Sequence, residues 1–213
     1  MSILATAPVV GIVRSREPGD LVGLVEAIVG GGVPLAEITI DTPGALEAIR
    51  RLADAGHTVG VGTVLTADQV AACADAGATF IVSPAVVPAV IEAALARGLD
   101  PIPGALSPTE LVAATAAGAR AVKIFPSAPV GGPAYLRALR GPFPDVDLVA
   151  TGGIGIEDVR DYLDAGATSV GLADSLVGDV LPSSDDELAA VGRRAARAME
   201  LAGAAAPAIR EAG

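Results

Sequence analysis

A glycine returns every 20 to 25 residues along this chain, at Gly32, Gly56, Gly77, Gly98, Gly118, Gly141 and Gly166. Most of these close an Ala/Leu-rich helical stretch and precede a short apolar run. That is where a helix ends on a residue in the left-handed region before a strand begins. Asp75-Ala76-Gly77-Ala78-Thr79 and Asp164-Ala165-Gly166-Ala167-Thr168 repeat one another outright. A βα period sustained in this way belongs to a parallel sheet with helical crossovers. Eight strands are predicted, over roughly 8–13, 34–40, 58–62, 79–83, 99–102, 120–125, 147–150 and 168–172. Helices fill the gaps, the last from about 185 to 202. Thr42-Pro43 reads as an N-cap with proline at the first helical position, and Thr66…Gln69 and Ser107…Glu110 read as capping boxes. Eight βα units in 213 residues predict a single-domain (β/α)8 TIM barrel over residues 1–202, followed by an Ala-rich tail over 203–213. A doubly wound sheet is the alternative, but no Gly-x-Gly-x-x-Gly follows the first strand.

Charge and composition narrow the function. A net charge of −11 and a pI near 4.4 argue against holding nucleic acid or an anionic membrane by bulk electrostatics. One Cys (Cys73) and one His (His57) leave no usual zinc set, so neither metal nor cofactor is expected. Cys73, mid-helix among alanines, reads as a small buried hydrophobe, and His57, after a helix-ending glycine, as structural. No apolar run reaches the roughly 18 residues of a membrane span, and residues 1–8 carry no basic region. The expectation is a cytoplasmic protein acting on small molecules.

Lys123 is the only lysine, against 13 arginines. A chain that uses arginine wherever it needs a cation has kept one lysine, and lysine alone of the two can act as an amine nucleophile. Lys123 sits in the apolar run Ala121-Val122-Lys123-Ile124-Phe125; a leftover lysine at a strand end is the plain alternative. In Leu35-Ala36-Glu37-Ile38-Thr39-Ile40, period-2 alternation sends Glu37 and Thr39 to the face opposite Ala36, Ile38 and Ile40. Glu37 therefore points into the barrel, where a buried carboxylate needs a partner or a proton. Lys123 is the inward amine available. The pair is either a structural ion pair or the machinery of imine chemistry, with the acid shuttling protons. Phe125 shares Lys123's face, as a dry wall or as core filling. Thr151-Gly152-Gly153 before the seventh helix could admit an anion to backbone N–H groups, or make a tight turn. Arg14, ending the first strand, could hold a carboxylate or phosphate, or be solvated.

Together Glu37-Ile38-Thr39, Gly60-Val61-Gly62-Thr63-Val64, Val82-Ser83-Pro84, Pro103-Gly104, Lys123-Ile124-Phe125-Pro126 and Thr151-Gly152-Gly153-Ile154 resemble one enzyme family over nearly the whole chain. It comprises the 2-keto-3-deoxy-6-phosphogluconate and -phosphogalactonate aldolases, with 4-hydroxy-2-oxoglutarate aldolase. The resemblance implies a class I TIM-barrel lyase, a homotrimer, that splits a 2-keto-3-deoxy-6-phospho sugar acid into pyruvate and glyceraldehyde 3-phosphate. It matches Lys123 to the Schiff-base lysine and Glu37 to the general acid/base. Thr63, Pro84 and Phe125 match residues around the pyruvate moiety, and Thr151, Gly152 and Gly153 the loop near the carboxylate and distal anion. Some members carry an arginine four residues after the glutamate, where Asp41 stands here. Others, the phosphogalactonate type among them, place it where Arg14 is, so Arg14 takes that role and the chain leans to that subgroup.

After the eighth strand the family usually reads Gly-Ser, and this chain has Ala173-Asp174 followed by Ser175. A carboxylate about 5 Å from a phosphate oxygen costs on the order of 3 kcal/mol at an effective dielectric of 20. The expectation is that Asp174 turns away and Ser175 serves, or that the substrate lacks the phosphate, as 4-hydroxy-2-oxoglutarate does. A catalytically silent barrel acting as a binding or assembly subunit is the rival from another class, and a phosphate-binding isomerase a third.

Overall fold

In the computed structural model, which describes residues 2–178 and 181–203, the predicted βα alternation closes into a barrel. The strands are β1 (Val9–Val13), β2 (Leu35–Thr39), β3 (Val59–Gly62), β4 (Phe80–Val82), β5 (Asp100–Ile102), β6 (Gly104–Ala105), β7 (Ala121–Ile124), β8 (Asp147–Thr151) and β9 (Ser169–Leu172). The helices are α1 (Leu21–Gly30), α2 (Ala45–Asp54), α3 (Ala67–Asp75), α4 (Pro88–Ala96), α5 (Pro108–Ala116), α6 (Gly132–Arg140), α7 (Val159–Asp164), α8 (Asp174–Val177) and α9 (Asp185–Leu201). All strand pairs are parallel, in the order β5-β4-β3-β2-β1-β9-β8-β7-β6.

Nine strands form where eight are predicted, because the fifth, predicted over 99–102, resumes beyond Pro103 as β6. Pro103 has no N–H to give a ladder. Asp100–Ile102 pairs with β4 and Gly104–Ala105 with β7, while the Pro103 carbonyl accepts the Lys123 N–H at 2.9 Å. The barrel thus closes through a proline, next to the one lysine.

Alternation along the strands sorts two cores. Ala36, Ile38, Val61, Ile81, Val122, Ile124, Leu148, Ala150, Val170 and Leu172 face outward and pack under the helices. Val10, Leu35, Phe80, Val82, Ile102, Ala121 and Val149 face inward and fill the barrel. Phe80 lies over Gly60, where a Cβ would meet its ring at 2.3 Å. The lower mouth is stopped by a 3-10 turn, Ile3–Thr6, whose Leu4 joins the inner core. Asp100 holds that turn by accepting from Ser2 Oγ at 2.8 Å and Ile3 N at 2.7 Å. The inner space is therefore filled from below and open only at the strands' C-terminal ends.

Both capping boxes form, at Thr66–Gln69 and Ser107–Glu110. Of the periodic glycines, Gly32, Gly56, Gly77, Gly98, Gly118 and Gly166 have positive φ, whereas Gly141 (φ −54°) ends its helix right-handed. One predicted helix start moves. Thr42 does not cap α2, which begins at Ala45 after a left-handed Gly44. Its hydroxyl is instead taken by Ser15 N (3.2 Å) and Thr39 Oγ1 (2.9 Å), which ties together the loops after β1 and β2. Glu157 and Asp158 lie in a 3-10 turn ahead of α7, where Asp158 accepts from Gly155 N at 3.0 Å. Cys73 is buried, and burial pushes its thiol up to about 12. From residue 204 on, the expected Ala-rich tail lies outside the described residues. Among the described residues no helix is long and apolar enough to cross a membrane.

Candidate active site

Lys123 and Glu37 project into the barrel from β7 and β2, as their strand phases require. Lys123 Nζ lies 3.8 Å from Glu37 Oε1, and the two side chains keep only 9% and 4% of their surfaces exposed. Two glycines leave room for the acid and its neighbour. A Cβ on Gly62 would meet Glu37 Oε1 at 2.8 Å, and one on Gly171 would meet Thr151 Oγ1 at 2.7 Å.

Burial raises the Glu37 carboxyl above the ordinary carboxylate range, with the charges of Lys123 and Arg14 pulling the other way. Desolvation is the stronger influence, so Glu37 keeps a proton to higher pH than a surface glutamate.

Above the pair opens a cavity of about 500 Å³ at the C-terminal rim. It brings together Arg14, Lys123, Phe125, Thr151, Gly152, Gly153, Asp174 and Ser175. A narrow recess of about 10 Å³, close to the least volume that holds one water, lies below it between Glu37, Lys123 and Thr151. Lys123 and Thr151 line both, so the amine stands at the passage between the acid and the open cavity. Lys123 Nζ sits 5.2 Å from the centroid of the Phe125 ring, which walls the amine on one side.

Gly152 and Gly153 have consecutive positive φ values of 96° and 75°, a path that side chains other than glycine's rarely follow. A Cβ on Gly152 would also strike Phe125 at 3.0 Å. Ser127 N donates to Thr151 O (2.8 Å) and Ala128 N to Gly152 O (3.1 Å), which sews the loop after Lys123 to this glycine loop.

Thr63 and Pro84 fall outside the cavity lining. Thr63 takes φ 61°, a left-handed conformation that β-branched residues rarely adopt. Its hydroxyl accepts from Arg14 Nη2 at 2.9 Å, so it reaches the site through the arginine. Pro84 packs by its carbonyl against Gly104, where a Cβ would lie 2.3 Å away. Ser175 lines the cavity but donates its hydroxyl to Ile154 O at 2.9 Å, and the exposed Asp174 stands beside it. Ile12, Gly155 and Gly171 also line the cavity and were not singled out from sequence. Ile12 follows Val10 on the inward phase of β1, and that phase was the signal that could have found it.

Known proteins are similar to this chain in sequence and fold. The family model for KDPG and KHG aldolase matches residues 1–193. A relative from Rhizobium meliloti (strain 1021), "Probable 2-dehydro-3-deoxy-6-phosphogalactonate aldolase", is 38% identical over 193 residues, 89% of this chain and 91% of its own. Among solved structures, a cube-shaped, highly porous protein cage designed by fusing symmetric oligomeric domains superposes with a TM-score of 0.84. It is 32% identical and covers 93% of this chain and 74% of that one. KDPG aldolase from Legionella pneumophila, with pyruvate captured at low pH as a covalent carbinolamine intermediate, superposes at 0.76. It is 30% identical over 93% of this chain and 94% of that one. With the family model matching residues 1–193 and the barrel superposing on solved members, the chain belongs to the KDPG and KHG aldolase family.

Proposed function

We propose that this protein is a class I aldolase that cleaves a 2-keto-3-deoxy-6-phospho sugar acid, of gluconate or galactonate type, to pyruvate and glyceraldehyde 3-phosphate. The observation that carries the reading is the buried Lys123 amine, 3.8 Å from the buried Glu37 carboxyl and open to a cavity of about 500 Å³. The carbinolamine captured in the Legionella relative supports the covalent route.

The free amine of Lys123 adds to the substrate's C2 carbonyl, and the carbinolamine loses its oxygen as water with a proton from Glu37. The resulting iminium draws electrons from C3. Glu37, now a carboxylate, takes the C4 hydroxyl proton through a water held in the recess. C3–C4 breaks as the C4 oxygen becomes the aldehyde, and the bonding pair enters the iminium to form an enamine. Glu37 returns the proton to C3, and water adds to the iminium and gives a proton back to Glu37, so that pyruvate leaves with the free amine restored. Arg14, held by Thr63, takes the substrate carboxylate, and Thr151 with Gly152 and Gly153 lines the way to the distal end.

Pyruvate release from both 6-phospho acids, read by coupled reduction to lactate, should run undiminished in EDTA. Loss of activity in EDTA would point to a metal enolate and away from Lys123. A second reading, an unphosphorylated 2-keto acid such as 4-hydroxy-2-oxoglutarate, is favoured by Asp174 in the cavity wall.

The same reading makes the protein a cytoplasmic homotrimer. Leu95 (46% exposed) on α4 and Val112 (54% exposed) on α5 leave apolar side chains for a second copy to cover, and the cage relative is built from symmetric oligomeric domains. Light scattering should return three chains per particle; one chain would refute the trimer.

A further inference from the structure

We infer that Asp174 sets the enzyme's choice at the far end of the substrate, disfavouring a phosphate dianion and accepting hydrogen bonds from the hydroxyls of an unphosphorylated tail. This rests on the aldolase reading above and specifies its substrate class.

Three observations converge. Asp174 follows β9 and lines the cavity, exposed at its mouth. Ser175, the neighbour that could have offered a hydroxyl donor instead, donates to Ile154 O at 2.9 Å. The third concerns compensation. β1 and β9 are neighbours, and Arg14 and Asp174 line the same cavity. Arg14 donates to Thr63 Oγ1, on the side of β3. Among the described residues the carboxylate of Asp174 has no ion-pair partner, and the other cation in the cavity is Lys123, which the imine consumes.

A carboxylate accepts hydrogen bonds and donates none, so it suits hydroxyl donors and repels a dianion. The backbone N–H groups of the glycine loop still favour an anion. Asp174 therefore narrows the preference for phosphate that this loop would otherwise impose. Being exposed, it acts through a partly screened field, and the effect is about tenfold in specificity.

The test is the ratio of kcat/KM for 2-keto-3-deoxy-6-phosphogluconate to that for 2-keto-3-deoxygluconate, measured on the full chain. Asp174→Asn and Asp174→Ser should each raise it by about tenfold or more. In the wild type the ratio should also rise with added salt, which screens the repulsion, and that series reads the same charge without any substitution. A ratio that neither substitution nor salt moves, or that falls, overturns the inference. Trapping of pyruvate on Lys123 separates the two layers. An adduct with an unmoved ratio sinks the role of Asp174 alone, and no adduct sinks the aldolase reading beneath it.

Discussion

Lys123→Arg should abolish aldol cleavage, with kcat/KM falling by about 10⁴-fold or more, while the protein stays folded. Arginine keeps a cation beside Glu37 but cannot form an imine, so the loss reports the covalent step and not the charge. Lys123→Ala should be equally inactive and also less stable. It removes the amine 3.8 Å from a buried carboxyl, and stripping one partner from such a pair costs roughly 3 kcal/mol. Steady-state rates with a thermal melt of each variant check both halves. A Lys123→Arg protein with near-normal turnover would mean that the amine is structural.

Glu37→Gln should lower kcat by about 10²- to 10⁴-fold, the usual worth of a positioned general acid/base. Glutamine fills the same space against Gly62 and shuttles no proton. The pH profiles carry the sharper contrast. Burial raises the Glu37 carboxyl above the ordinary 4.5, and dehydration of the carbinolamine spends its proton, so the wild-type rate should fall on the alkaline side as pH rises through that raised value. Glu37→Gln should lack that limb. Stability follows the same proton. The folded state binds it more tightly than the unfolded one, so wild-type stability is fully present below about 4.5 and declines as pH rises through the raised folded value. The glutamine variant should lose this decline. The same alkaline limb in Glu37→Gln would assign the proton transfer to another group.

The barrel was legible because two local rules agree along the chain. Glycines such as Gly77 and Gly166 are needed where a helix turns left-handed into a strand, and period-2 alternation told inside from outside on β2 and β7. That alternation also placed Glu37 and Lys123 in one interior. What escaped depends on partners distant in sequence. Leu4 plugs the barrel because Asp100 holds its turn, and nothing in the sequence there announces an acceptor 98 positions from Ser2. Thr42 reads as a helix cap until Ser15 claims its hydroxyl, a tertiary bond that overrides local preference. Pro103 splits a strand only when the ladders on either side are known. In the site, Ile12 and Gly171 look like ordinary core residues, and the bond from Arg14 to Thr63 needs a left-handed threonine that no motif discloses.

Pyruvate and borohydride, followed by peptide mass spectrometry, address the shared cavity of Lys123 and Glu37 most directly. The account predicts one reduced pyruvate adduct, on the peptide carrying Lys123, formed only when both reagents are present and lost in Lys123→Arg. An unmodified Lys123 peptide after trapping, with pyruvate in excess, would contradict it.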